Sequence, residues 1–185
     1  MLLERSDCTT IKSIKPVISG LSKDGFLFPV VLTEDFIESS LDSFPLEFLE
    51  FKTYHKMVVG SSPFEKRTPD IRNIRLQCER ELKGKVLHLK TALLNVKEAK
   101  SFRELVKFSI EDLCRISIGL LVLQGVKAPL LPSELPMQMA DVYGLDKDVI
   151  SAVIAGNFSD KEIMPLFEKY LSLFDGLAER IDQGE

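Results

Sequence analysis

Five charged side chains in one stretch carry the clearest chemical potential of this sequence. Arg72, Arg75, Glu79, Lys83 and Lys90 are separated by three, four, four and seven residues. At about 100° per residue they share one side of a helix. A guanidinium fork and an ammonium held there suit a phosphate or a carboxylate. A plainer reading is an ion-pair ladder, Arg75 to Glu79 and Glu79 to Lys83, each pair at i,i+4 spacing. The two readings are compatible, because a ladder also holds its cations in place for a ligand.

The other reactive side chains are scattered. His55 and His88 are the only histidines, and Cys8, Cys78 and Cys114 the only cysteines. His88 reads as a surface helix residue and His55 as structural or exposed. No Ser-His-Asp set and no Cys-x-x-Cys suggests itself, so neither a hydrolase triad nor a metal site is expected. Phosphate-binding glycine loops and the Gly-x-Ser-x-Gly elbow are also missing. An odd number of widely spaced cysteines reads as buried, reduced thiols in a cytoplasmic protein.

These side chains need elements to position them. The chain has 185 residues, 45% hydrophobic and 28% charged, with a formal net charge of −4. Such a composition buries a core and excludes wholesale disorder. Its acidic balance argues against a general nucleic-acid coat protein. The longest apolar run, near Ile116–Leu123, is far short of the roughly twenty residues of a spanning helix, so no membrane is expected.

The pattern changes near residue 66. Before it, Ile11, Ile14, Val17, Ile18 and Leu21 predict a helix over 9–22, stopped at Asp24-Gly25. Apolar strands are expected at 28–32 and 44–52, with a short helix capped by Thr33 between them. After it, helices dominate. Thr68-Pro69-Asp70 predicts a helix start, running to about Asn95. Ser101-x-x-Glu104 reads as a capping box opening a helix to Gln124, stopped by Gly125. Short helices are expected from Ser133 to Gly144 and from Asp146 to Gly156. Ser159-x-x-Glu162 reads as a second capping box, before a last helix to Asp182. The stretch Cys114–Leu123 is apolar nearly all round and belongs in the middle of a bundle.

On the helix at 70–95, Ile74, Cys78, Leu82, Val86, Leu89 and Leu93 form one apolar stripe and Leu76, Leu87 and Leu94 a second. The charged strip lies between them. Gln77, Arg80, Glu81, Gly84 and His88 are expected to face solvent.

Two segments, FPLEFLEFKTYHKMVVGSSPFE and IRLQCERELKGKVLHLK, carry a resemblance. They resemble a family of nucleotidyltransferase-like proteins, similar to the DNA polymerase β-type nucleotidyltransferases. Asp42, Phe44, Pro45, Glu47, Phe48, His55 and Gly60 match its first motif. Arg75, Leu76, Gln77, Glu79, Glu81, Leu82, Gly84 and Lys85 match its second. The resemblance spans roughly residues 12–185.

It implies a mainly α architecture. An antiparallel helical bundle over 67–185, like a substrate-binding domain, follows a small α/β remnant of the catalytic sheet over 1–66. The family's Gly-Ser turn and Asp-x-Asp pair have no counterpart here, and residues 1–7 look like the tail of the strand that follows them. Glu47 is the one candidate for the third carboxylate, with Glu50 and Asp42 behind it. The implied function is a degenerate, substrate- or partner-binding module without transferase activity of its own. The alternatives are a subunit active only with a chain that supplies the missing motif and Mg²⁺, or a helical scaffold. Arg72, Arg75, Glu79, Lys83 and Lys90 are the candidate substrate-binding residues, for a nucleotide or RNA. A homodimer or partner protein is expected to cover the remnant, whose Phe28, Val30, Phe44, Phe48 and Phe51 are too apolar to stay open.

Overall fold

The computed structural model describes residues 1–23, 27–95, 99–156 and 158–184. Helices α1 (Cys8–Lys23), α2 (Glu34–Ser39), α3 (Pro45–Tyr54) and α4 (Ile71–Asn95) come first. They are followed by α5 (Ala99–Leu123), α6 (Leu135–Tyr143), α7 (Lys147–Ala155) and α8 (Ile163–Asp182), with one 3-10 turn at Pro132–Glu134. The molecule is mainly α and its helices form a bundle. The expected stop at Asp24-Gly25 lies outside the described residues.

Helix α5 is the centre. Residues 116–121 are all buried, and α5 packs against α3, α4, α6, α7 and α8. This meets the expectation for a helix without a polar face. Helices α4 and α8 lie along each other. Phe167, Tyr170 and Phe174 of α8 are fully buried, and Phe102 of α5 meets Phe167 edge-on at 5.0 Å.

Most helix ends follow their local signals. Thr33 Oγ1 accepts the Phe36 N–H, and Asp146 accepts from Asp148 and Val149. Gly125, Gly144 and Gly156 take positive φ where α5, α6 and α7 end, a conformation glycine adopts without steric cost. The Glu162 carboxylate reaches back to the Ser159 N–H at 2.8 Å, one half of the expected capping box. Pro165 then falls in the first turn of α8, where no N–H is needed. Two starts shift. Asp70 itself caps α4, accepting the Arg72 N–H at 2.8 Å. Ser101 lies inside α5, which has already begun at Ala99, so Ser101-x-x-Glu104 is not its start.

The two expected strands are corrected. Residues 45–52 lie in a helix, α3, with Phe44 at its N-cap, and form no strand. Pro45 is preset for the first helical position, and Glu47 favours the positive helix end. What reads as alternation is a helix buried on two sides. Leu46 and Leu49 enter the main core, while Phe48 packs with Ile37 and Phe64 in a smaller cluster. Residues 28–32 form no strand either. Only Leu32 pairs, as an isolated parallel bridge to Leu2, with the Leu32 N–H on Met1 O and the Leu3 N–H on Leu32 O. Among the described residues there is no sheet.

Helix α1 stands apart. It has no fully buried residue among those described, and Val17 and Leu21 remain 64% and 42% exposed.

Candidate functional site

The charged strip of α4 meets α8. Lys83 Nζ donates to Glu79 Oε1 at 2.6 Å and to Asp182 Oδ1 at 2.9 Å. Lys90 Nζ reaches both oxygens of Asp175 at 3.0–3.1 Å. The lysines are two turns apart on α4 and their acids two turns apart on α8, so the helices run antiparallel in one register. Arg75 Nη1 donates to the Ile181 carbonyl at 3.3 Å, at the negative end of α8, where a cation is favoured. Arg72 lies on the surface and pairs with Asp70 at 2.8 Å.

The charges respond to these contacts. The hydrogen bond from Glu79, and then that from Asp182, hold the Lys83 ammonium above its usual range. Lys83 in turn holds the Asp182 carboxyl below its own. Arg72 lowers Asp70 to about 2. The Glu79–Lys83 pair of the expected ladder forms, and the rest of the ladder crosses between helices instead of running along α4. Lys83 and Lys90 each have an acid beside them, so an incoming phosphate must compete with Asp182 and Asp175.

Among the described residues no helix covers the outer apolar stripe. Leu76, Leu87 and Leu94 are 62%, 67% and 84% exposed.

Gln77, expected at the solvent side, is buried instead. Its Oε1 accepts the Leu46 N–H at 2.9 Å, and its Nε2 donates to Glu47 Oε2 at 3.0 Å. Leu46 lies in the first turn of α3, where backbone N–H groups lack helical partners. One amide side chain therefore joins the two motif segments. The same junction holds Cys78, whose thiol burial pushes up to about 12. Glu47 is half-buried on α3, while Glu50 and Asp42 are exposed. Among the described residues no three His, Cys, Asp or Glu side chains gather closely enough to hold a metal ion.

His55 follows the last turn of α3, edge-on to Phe64 at 5.4 Å. It borders an apolar crevice of about 660 Å³ with Ile37, Met57, Val58 and Phe64. His88 lies on the α4 surface, as expected.

No family model, curated protein or solved structure matches this chain.

Two features escaped the sequence reading. Lys85 and Asp112 form an ion pair between α4 and α5, with only 11% of the Lys85 side chain exposed. The signal was present, since Lys85 falls at about 20° from Ile74 on the helical wheel, inside the apolar stripe. Arg67 ties α2 to the segment before α4, donating to Glu38, Glu34 and the Pro63 carbonyl. Nothing in local spacing marks that contact.

Proposed function

We infer that this chain is a nucleotidyltransferase-like binding module, which presents its N-terminal layer to a protein partner and transfers no nucleotide by itself. The resemblance of the two motif segments supports the lineage. The observation that carries the binding role is the apolar surface outside the bundle. Outside the bundle, with Val17 and Leu21 of α1, Leu27, Phe28 and Val30 are 91%, 73% and 59% exposed. Exposed apolar side chains in such number mark interaction sites. The α/β character expected of residues 1–66 enters this reading only through the Leu2–Leu32 bridge, the one β-bridge among the described residues. The cytoplasm belongs to it as well, a compartment in which Cys8, Cys78 and Cys114 stay thiols.

A neutral apolar dye tests the surface. Nile red added to dilute, folded protein should bind saturably. Val17→Asp with Phe28→Asp should weaken that binding with the melting temperature unchanged. Absence of dye binding at every dilution, with no assembly, would remove the reading.

A second reading has one observation in its favour. Glu47, which the resemblance makes the candidate third carboxylate, accepts a hydrogen bond from Gln77 Nε2 at 3.0 Å. A chain supplying the Asp-x-Asp pair and Mg²⁺ would then complete a transferase. Nucleotide-dependent pyrophosphate release on mixing two such chains, lost in Glu47→Gln, is its test.

A further inference from the structure

The open face of α1 has a chemical complement on the same chain. Helix α1 carries lysines and no Asp or Glu along Cys8–Lys23. Lys12 and Lys15 are exposed, and neither has an acid within 4 Å among the described residues. Its apolar arc runs through Ile11, Val17 and Leu21, all open to solvent. A basic amphipathic helix of this kind seeks an acidic surface with an apolar centre.

Such a surface lies at α2 and the start of α3. Phe36 and Phe44 are each 45% exposed and stack with ring centroids 6.3 Å apart. Asp35 and Asp42 flank them, both exposed and without a cation within 4 Å among the described residues. Glu34 and Glu38 of the same helix are occupied by Arg67. The two patches match in kind, aliphatic with lysines against aromatic with aspartates.

We propose that the partner is a second copy of this chain, in a two-fold dimer where α1 of each protomer lies on the Phe36–Phe44 face of the other. This rests on the binding role inferred above and names its occupant. A two-fold axis makes each protomer donor and acceptor at once, so both patches are covered twice by one contact. An anionic bilayer would attract α1 but repel Asp35 and Asp42, leaving the aromatic pair open. Opposed charges across the contact also set the register and speed the encounter.

Charge reversal tests this. Light scattering on the full chain at micromolar concentration should give twice the chain mass, falling toward one mass as salt screens the contact. Lys12→Glu with Lys15→Glu should be monomeric yet still unfold cooperatively, with affinity weakened about tenfold or more. Asp35→Lys with Asp42→Lys should behave likewise. Mixing the two variants should restore a dimer, because both contacts of the mixed pair are then attractive. A wild type that stays monomeric overturns the proposal, as does a dimer indifferent to either reversal or a mixture that fails to pair. Binding of the wild type to phosphatidylserine vesicles in place of dimerisation also overturns it. If no dimer forms while Nile red still binds, the second copy is wrong and the binding role stands.

Discussion

The Gln77 side chain accepts the Leu46 backbone N–H at 2.9 Å inside the core. A buried donor that loses its acceptor costs about 1–3 kcal/mol. Gln77→Leu should therefore destabilise by about that amount, as measured by urea denaturation. Gln77→Glu keeps an acceptor for Leu46 but puts a second carboxylate beside Glu47. It should be destabilised more at neutral pH than in mild acid.

Gly119 of α5 packs against Leu46 of α3 and Cys78 of α4. A Cβ there would sit 2.4 Å from Leu46 Cδ2 and 2.5 Å from Cys78 Sγ. Gly119→Ala should cost about 1–3 kcal/mol through overpacking. Removing the thiol makes room on one side only. The double variant Gly119→Ala, Cys78→Ala should lose less than the two single losses together, read from the same denaturation curves.

Thiol reactivity should sort by burial. Cys8 is exposed, Cys114 half-buried and Cys78 buried, with the last two thiols pushed up by desolvation. The thiolate is the attacking form. Titration with a thiol reagent at pH 8 should show one fast equivalent, lost in Cys8→Ser. The Cys78 equivalent should appear only on unfolding.

The α4–α8 seam should be a modest brace. Arg75→Ala should lower stability by about 1 kcal/mol or less. Nucleotides, phosphate and short RNA should give no thermal shift, since a ligand that binds only the folded state raises its melting temperature by mass action. A clear shift lost in Arg75→Ala would make the strip an anion site instead. The carboxyls of Asp182 and Asp70 are both lowered from 3.8. Their contribution is present above pH 3.8 and fades as the pH falls, for Asp70 down to about 2. Acid titration of Lys83→Ala, for Asp182, and of Arg72→Ala, for Asp70, should each show a weaker loss there than the wild type.

Purified protein with Mg²⁺ or Mn²⁺ and nucleoside triphosphates should release no pyrophosphate. Release that persists in Glu47→Gln would place an active site elsewhere on the chain.

Local chemistry determined much of this fold by itself. The apolar periodicity around Ile74, Cys78 and Leu82, the all-round apolar stretch of α5 and the stops at Gly125, Gly144 and Gly156 act within a few residues, so they are legible in the chain. The charges of the α4 strip were legible too, but not their partners. Asp175 and Asp182 lie about ninety residues away, and only the antiparallel register of α8 brings them to Lys90 and Lys83. Tertiary packing also decided α3. Period-two alternation and a helix buried on two faces give nearly the same pattern over nine residues, and burial of Leu46 on one side and Phe48 on the other selects the helix. Gln77 completes the point. Its type says solvent, but the orphan N–H of a first turn pressed against it makes the core the place where its hydrogen bonds are satisfied.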